Sequence, residues 1–270
     1  MQTSELHEHA GDEPERKERR KKRLPCAPKV LMPIRCADKR GNEHWSDERA
    51  RDLANFPSPF RMVILGPPNR GKSTLAKNII LHQRPRFKEV YVVHEDAEYS
   101  HEWDDLEPTE TFGEIPSLDF WCQLDEGPYT KRCVVLDDLE YVRASKARLQ
   151  NLAILMRYAS SHKGISVIAA HQSWFDFPII AKKMSNVLVV YKPTARNELG
   201  LIENRCGLAP GAMHGIFATR ATGFYDSITV DLTKDSPAPL RVNLFQPIQL
   251  PAVHVRSPPP EQEDKDPEGP

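Results

Sequence analysis

The chain of 270 residues lacks long apolar runs, paired cysteines and a strong net charge. No segment approaches the ~18 apolar residues of a membrane-spanning helix, and no apolar signal sequence precedes the charged N-terminus, so we expect neither membrane insertion nor secretion. The five cysteines form no C-x-x-C pair, which favours a reducing compartment and argues against a zinc site. The formal net charge of −1 creates no global field that would indicate a partner.

Charge is instead concentrated at the two ends of the chain. Residues 16–23 carry seven basic residues and one acid, and residues 257–270 carry five acids and one lysine. Because both ends have few apolar residues to bury, we expect a disordered basic tail and lead-in over 1–45 and a disordered, Pro-rich acidic tail over 251–270. Three interpretations of the basic run remain open: nuclear import, contact with a nucleic-acid backbone, or a solvated charge run.

Residues 66–73 read Gly-Pro-Pro-Asn-Arg-Gly-Lys-Ser, a complete G-x-x-x-x-G-K-[ST] motif. An apolar run precedes the motif and a helix-forming run follows it, which is the strand–loop–helix context of a phosphate-binding loop. Backbone N–H groups and the start of the helix would attract the phosphates of ATP. The predicted nucleotide-binding residues are Gly66, Pro67, Pro68, Asn69, Arg70, Gly71, Lys72, Ser73 and Thr74. Lys72 is expected to reach the β- and γ-phosphates, the Ser73 hydroxyl to bind Mg²⁺, and Arg70 to add a charge near the phosphates.

Apolar strands alternate with amphipathic helices along the rest of the chain. The predicted strands are 62–65, 90–93, 133–136, 165–170, 187–191, 224–232 and 240–245. The predicted helices are 74–81, 144–161, 179–184, 196–206 and 211–219. This pattern indicates an α/β fold with a mainly parallel central sheet and helices on both faces. With the phosphate-binding loop, it predicts a three-layer P-loop NTPase of the RecA-like or ASCE type over 46–250, with a loop-rich insertion at about 95–130.

Several aromatic residues allow two interpretations each. Phe56 and Phe60 precede the first predicted strand and would pack either against the adenine or in the core. The insertion contains four large aromatic residues: Trp103, Phe112, Phe120 and Trp121. Large aromatics are usually buried, so we expect these four to pack the insertion down rather than to face a partner.

Two adjacent acids follow the apolar strand 133–136. Asp137 occupies the Walker B position, where a carboxylate holds Mg²⁺ directly or through water. In ATPases with an extra strand between the loop strand and the Walker B strand, the second acid polarises the attacking water. That position is occupied here by Asp138, which is shorter than the usual glutamate, and Glu140 is the alternative base.

A polar residue also follows the strand 165–170. Gln172 is a candidate sensor that contacts the γ-phosphate or orients the water, whereas we interpret His171 as a structural or gating neighbour. Ligands bind outside the carboxyl ends of parallel strands, so Gln172, Asp137 and Lys72 are expected to meet at one edge of the sheet.

Hydrolysis also needs positive charge on the γ-phosphate in the transition state. An arginine supplies this charge either from the same chain or from a neighbouring subunit. Three arginines after the Walker B strand are candidates for this finger: Arg157, Arg196 and Arg205.

Taken together, segments 66–73, 134–138 and 162–168 with Gln172 resemble the FtsK/HerA superfamily. Within it they are most similar to viral genome-packaging ATPases of the poxvirus, giant-virus, virophage and polinton type. Those proteins share the His-x-x-Ile-Ser-Val-Ile segment and a later strand–Lys–Pro stretch, found here at 189–197. The resemblance covers about residues 58–245. It implies an ATP-driven translocase that forms a homo-oligomeric ring, contacts the backbone of double-stranded DNA, and packages a viral genome into a capsid at a portal-like vertex.

The chain departs from this family at one informative point. The family often has an Arg-His pair before Ile-Ser, whereas Ser161 precedes His162 here, which favours Arg157 or Arg196 as the finger. Other functions remain open: a replicative helicase or helicase loader, a nucleotide kinase, or a non-hydrolysing nucleotide-gated scaffold. No Asn-Lys-x-Asp signature occurs, which argues against a GTPase. A packaging role places the protein in the host-cell nucleus or a cytoplasmic virus factory, associated with the virion.

Overall fold

The computed structural model describes residues 56–124, 131–193, 195–233 and 236–248. The predicted terminal tails therefore lie outside the described residues. The strands are β1 (Arg61–Leu65), β2 (Glu89–His94), β3 (Glu110–Phe112), β4 (Arg132–Asp137), β5 (Ile165–His171), β6 (Val187–Tyr191), β7 (Ser227–Asp231), β8 (Leu240–Val242) and β9 (Gln246–Pro247). The helices are α1 (Lys72–His82), α2 (Leu118–Gln123), α3 (Lys146–Ile154), α4 (Ser160–His162), α5 (Ile179–Met184), α6 (Arg196–Cys206) and α7 (Ala212–Thr219).

Within the described part of the chain, these nine strands form one sheet in the order β3-β2-β4-β5-β1-β6-β7-β8-β9. The six strands from β3 to β6 pair in parallel, and β7, β8 and β9 add to the β6 edge in antiparallel fashion. Strand β5 lies between β1 and β4. This order confirms the mainly parallel sheet and places the extra strand between the loop strand and the Walker B strand.

Side chains of the central strands β1, β2, β4, β5 and β6 alternate between two separate apolar cores, one on each face of the sheet. In β1, Met62 and Ile64 pack in one core, whereas Val63 and Leu65 pack in the other. Helix α1 covers the first face, and α3, α5 and α7 contribute to the second. The predicted three-layer α/β architecture is therefore confirmed. None of the helices in the described residues has the length and apolar composition that crossing a membrane requires.

Several elements differ from the sequence prediction. The predicted strand 240–245 ends at Val242, and residues 243–245 form a turn. The region predicted as a loop-rich insertion contributes β3, which pairs with β2, and the short helix α2. A strand of three residues is too short to show alternation, so the sequence pattern did not reveal it. The predicted helix 144–161 is interrupted by a π-helical segment, Leu155–Ala159, between α3 and α4. The predicted strand 224–232 begins only at Ser227, so its first three residues form a loop.

The aromatic residues of the insertion pack as expected. Trp103 and Trp121 are buried, at 3% and 0% exposure, and the rings of Phe112 and Phe120 meet edge to face at 5.1 Å. Through these contacts the segment between β2 and β4 is attached to the sheet, which brings Trp103 to the edge where β4 ends.

Candidate active site

The phosphate-binding loop leaves the sheet at Gly66. The Gly66 N–H donates to the His171 carbonyl at 3.2 Å, so the ladder between β1 and β5 continues into the loop. A Cβ atom at Gly66 would lie 2.7 Å from Cβ of Tyr191, which leaves space for glycine alone. Asn69 and Gly71 have φ values of 63° and 80°, the left-handed conformation that lets the loop curl. Close packing and left-handed backbone therefore explain the residue types at these positions.

Lys72 begins α1 and bends back over the loop. Its Nζ donates to the carbonyls of Gly66 at 3.0 Å and Pro67 at 3.3 Å. Burial lowers the pKa of Lys72, while the carboxylates of Asp138 and Asp137 act in the opposite direction. A partly desolvated ammonium group attracts an anion more strongly than a fully exposed one. This arrangement fits the phosphates of a nucleotide.

Ser73 and Asp137 meet directly. The Ser73 hydroxyl lies 3.3 Å from each carboxylate oxygen of Asp137, and the indole N–H of Trp103 donates to the same carboxylate at 3.0 Å. Burial raises the pKa of Asp137, the charge of Glu102 raises it further, and the Trp103 hydrogen bond opposes both. A hydroxyl and a carboxylate are the oxygen ligands that Mg²⁺ prefers, so these two residues fit the predicted metal site.

His94 and Glu102 also reach this place, and the sequence did not indicate either residue. A ring nitrogen of His94, a carboxylate oxygen of Glu102 and a carboxylate oxygen of Asp137 all lie within 4.8 Å of one another. His94 ends β2 directly opposite Asp137 in the strand register, whereas Glu102 comes from the loop that follows β2. The three residues are far apart in sequence, and only strand pairing and loop packing bring them together.

Asp138 and Gln172 form a second hydrogen-bonded pair of polar side chains in the site. The Gln172 side-chain amide donates to Asp138 Oδ2 at 2.5 Å. The Asp138 N–H donates to the carbonyl of Ala170 at 3.1 Å, and its φ of 47° is left-handed, which aspartate tolerates better than most residues. The backbone turn directly after β4 therefore aims Asp138 toward the end of β5.

His171, the last residue of β5, lies next to this pair. Its ring packs against those of Tyr141 and Phe177, with centroids 5.5 Å apart in both cases, and Nδ1 is 3.9 Å from Asp138 Oδ1. Burial lowers the pKa of His171, which favours the neutral imidazole. These ring contacts match the interpretation of His171 as a structural neighbour.

A polar cavity of about 350 Å³ connects these groups. Its lining consists of Pro68, Asn69, Gly71, Lys72, Ser73, Thr74, His94, Glu102, Asp137, Asp138 and Gln172. The sheet therefore brings the loop, both acids of the Walker B segment and the predicted sensor to one edge.

Two predicted site residues point elsewhere. The Arg70 guanidinium lies 3.9 Å from the centroid of the Phe224 ring and donates to the Phe224 carbonyl at 2.5 Å, so its charge is directed at a neighbouring loop and not at the phosphates. The Glu140 carboxylate accepts from the N–H groups of Val142 at 2.6 Å and Arg143 at 3.4 Å. Glu140 caps its own turn and does not line the cavity, whereas Asp138 does.

Among the residues described, no arginine lines the polar cavity. Arg157 is exposed on the π-helical segment, and Arg205 donates to the Lys183 carbonyl at 3.4 Å. Arg196 begins α6, and its side chain lies outside the described structure, so its candidacy stays a prediction. The described lining of the cavity thus contains Lys72, Asp137, Asp138 and Gln172, and no arginine.

The two phenylalanines before β1 belong to the core. Phe56 and Phe60 are 0% and 2% exposed, and their rings meet edge to face at 6.0 Å. The core alternative of the sequence prediction therefore holds for both residues.

Fold and site together define a P-loop NTPase with three-layer α/β architecture. No protein-family model matches the chain, and no curated protein sequence matches it. Among solved structures, the chain is similar to B204, the DNA-packaging ATPase from Sulfolobus turreted icosahedral virus, with 15% identity and a TM-score of 0.49 over 71% of this chain and 100% of that one. It is also similar to the genome-packaging NTPase B204 from Sulfolobus turreted icosahedral virus 2 bound to AMP, with 14% identity and a TM-score of 0.48 over 71% and 98% of the two chains.

A third similar structure is the cytoplasmic domain of the type VII secretion ATPase EccC from Thermomonospora curvata. The identity is 15% and the TM-score 0.44, over 72% of this chain and 24% of that one.

Proposed function

We propose that this protein hydrolyses ATP with Mg²⁺ and uses the turnover to move double-stranded DNA into a viral capsid. The observation that carries the hydrolytic part is the meeting of three functional units in one cavity. These units are Lys72 over its loop, the Ser73–Asp137 pair, and the Asp138–Gln172 pair. A scaffold would need phosphate binding alone, whereas an acid held beside the phosphate position suits activation of an attacking hydroxyl, which is that of water in a hydrolase.

Each unit has a distinct role in the proposed reaction. The loop N–H groups and Lys72 bind and orient the phosphates, and Ser73 and Asp137 hold Mg²⁺, which offsets phosphate charge when bound. Asp138 orients the attacking water with Oδ1, because Gln172 holds Oδ2. Gln172 thereby fixes the carboxylate and couples it to the end of β5. The roles of Asp138 and Gln172 are thus linked through one hydrogen bond.

The motor part of the proposal rests on the sequence resemblance and on one feature of the site. The described lining of the cavity contains no arginine, so an arginine from a neighbouring subunit would supply the finger, and turnover would require a homo-oligomeric ring. DNA would be held through its backbone, with affinity that depends on salt and little on sequence. The capsid partner would be a portal-like vertex, and the protein would act in the nucleus or virus factory and remain with the virion.

Phosphate release measured with and without duplex DNA tests this proposal. We expect Mg²⁺-dependent turnover that duplex DNA stimulates several-fold, that falls with rising salt, and that Lys72→Ala abolishes. Lys88→Ala is the matched control, because Lys88 is exposed and lies away from the polar cavity. If duplex DNA does not change the rate of ATP turnover and a nucleoside becomes phosphorylated, the protein is a kinase and not a motor. Unwinding of a forked duplex would indicate a helicase.

A further inference from the structure

Residues 172–178 connect β5 to α5 and are here called the sensor segment, because they begin with Gln172. Gln172 is exposed and is the first residue beyond β5, so the pairing of β5 with its neighbours does not extend to it. Its side-chain amide donates to Asp138. The direction of this amide therefore depends on how the residues after Gln172 are held.

A buried carboxylate of α6 holds the next two residues of the sensor segment. Glu198 stands in the first turn of α6 and is 5% exposed. Its Oε1 accepts from the Ser173 hydroxyl at 2.9 Å and from the Trp174 N–H. A buried carboxylate destabilises a fold unless hydrogen bonds compensate for its lost hydration, and the sensor segment provides these bonds. Glu198 thus contacts the chain directly after Gln172.

The rest of the sensor segment is anchored as well. The rings of Trp174 and Phe177 are buried in the core on the side of α3, α5 and α7. Lys182 of α5 donates to the Phe175 carbonyl at 3.3 Å, and its ammonium group lies 5.3 Å from the centroid of the Trp174 ring. Because these contacts fix the middle of the segment, a change at residues 173 and 174 is transmitted to Gln172.

We propose that Glu198 is a positioning residue that sets the direction of Gln172 and thereby couples α6 to Asp138. This inference rests on the proposed hydrolysis of ATP. Glu198 does not line the polar cavity, so it acts through Gln172 and not on the phosphates. A displacement of about 1 Å in a positioned group can change a rate about 100-fold. A movement of α6 would therefore alter hydrolysis without any change in nucleotide contacts.

Glu203 is a matched comparison on the same helix. It is 3% exposed, and its carboxylate accepts from the N–H groups of Gly211 at 2.9 Å and Met213 at 2.8 Å. Glu198 and Glu203 are both buried acceptors of two hydrogen bonds on α6. Of the two, Glu198 alone contacts the sensor segment. Removal of either carboxylate should lower stability, whereas removal of Glu198 should also slow hydrolysis.

Single-turnover phosphate release by the full chain tests this inference, with AMP-PNP titration and denaturant unfolding alongside. We expect Glu198→Ala to slow release about tenfold and to leave AMP-PNP affinity unchanged. Glu203→Ala should unfold at lower denaturant but release phosphate at the normal rate. Glu198→Gln keeps an oxygen that can accept both bonds, so it should retain most of the rate.

Two further variants make the test specific to Gln172. Adding Glu198→Ala to Gln172→Ala should slow release no further than Gln172→Ala alone, because both changes act through one contact. Ser173→Ala removes one of the two bonds to Glu198 and should slow release less than Glu198→Ala. This milder variant provides the measurement if Glu198→Ala does not fold.

Several results would overturn the inference. Normal release in Glu198→Ala and Ser173→Ala, with slow release in Gln172→Ala, would exclude positioning by Glu198 and leave the proposed function intact. Additive slowing in the double variant would show that Glu198 acts independently of Gln172. Equal slowing by Glu203→Ala and Glu198→Ala would show that both act through stability alone. Absence of phosphate release from the unmodified protein would contradict the proposed function as well.

Discussion

The Ser73 hydroxyl lies 3.3 Å from each carboxylate oxygen of Asp137. Ser73 stands in the first turn of α1 and Asp137 ends β4, so the contact crosses over β5, which separates β1 from β4 in the sheet. Ser73, which follows the P-loop lysine, is thus already paired with Asp137 in the Walker B position. The Trp103 indole N–H donates to the same carboxylate. Ser73 and Asp137 would hold a bound Mg²⁺ ion through oxygen ligands.

Removal of the Ser73 hydroxyl should weaken metal binding. We expect Ser73→Ala to raise the Mg²⁺ concentration for half-maximal turnover by about tenfold or more, because one oxygen ligand is lost. Ser73→Thr keeps the hydroxyl and is the matched control, with a Mg²⁺ dependence close to that of the unmodified protein. A titration of phosphate release against Mg²⁺ measures both. An unchanged Mg²⁺ dependence in Ser73→Ala would exclude this residue as a ligand.

Loss of the Asp138 charge should separate binding from hydrolysis. We expect Asp138→Asn to bind nucleotide with near-normal affinity and to slow single-turnover phosphate release by about 100-fold or more, the range of a missing general base. Gln172→Ala should slow release less, because it removes only the hydrogen bond that orients Asp138. Glu140→Gln is the control, since that carboxylate caps a turn. Phosphate release at the normal rate in Asp138→Asn would show that another acid is the general base.

Gly66→Ala should damage the loop sterically. The added Cβ would lie 2.7 Å from Cβ of Tyr191, and neither atom is at the flexible end of a side chain. We expect a loss of about 1–3 kcal/mol in the free energy of unfolding and weaker nucleotide binding. Gly113→Ala is the control, because no atom lies within 4 Å of the Cβ that it adds. Chemical denaturation and nucleotide titration of both variants give the comparison, and equal behaviour would contradict the steric account.

The Glu89–Arg132 ion pair should make stability depend on pH. Arg132 Nε lies 2.5 Å from Glu89 Oε2, and this hydrogen bond lowers the pKa of Glu89 below its ordinary value of 4.5. A carboxyl with a lowered pKa in the folded state stabilises the fold above its unfolded pKa and loses that contribution as pH falls through the folded pKa.

We therefore expect Glu89→Gln to lower the free energy of unfolding by about 1 kcal/mol at pH 7. The difference from the unmodified protein should shrink as pH falls below 4.5. Denaturant unfolding from pH 7 to pH 3 measures this dependence, with the exposed Glu98→Gln as control. A difference that is constant over the whole range would show that the effect is one of packing and not of charge.

Mixed oligomers should locate the arginine finger. Each of three variant proteins is mixed with the Lys72→Ala protein: Arg157→Ala, Arg196→Ala and Arg205→Ala. The Lys72→Ala protein supplies an intact finger and an inactive loop. If the finger acts between subunits, an inactive finger variant recovers part of its turnover in the mixture, because intact loops then meet intact fingers. Phosphate release at a constant total protein concentration is the readout. If phosphate release recovers in none of the three mixtures, the finger is another residue or acts within its own chain.

Local sequence patterns predicted most of the fold. The phosphate-binding loop is a contiguous motif, and the apolar strands that end at Asp137 and His171 are continuous runs, so both could be recognised within short windows. The meeting of Lys72, Asp137 and Gln172 also followed, because parallel strands deliver their carboxyl ends to one edge. Short or edge elements were missed: β3 has three residues, and the start of β7 was placed too early by three residues.

The sequence by itself determined the phosphate loop, the parallel sheet and the sites of the two acids, because each depends on residues close in the chain or on a general rule of parallel sheets. Only the tertiary structure decided where individual side chains point. Arg70 turns to Phe224, Glu140 caps its own turn, and His94 joins Asp137. The direction of a long or polar side chain is set by the partners that packing provides, and those partners come from segments distant in sequence.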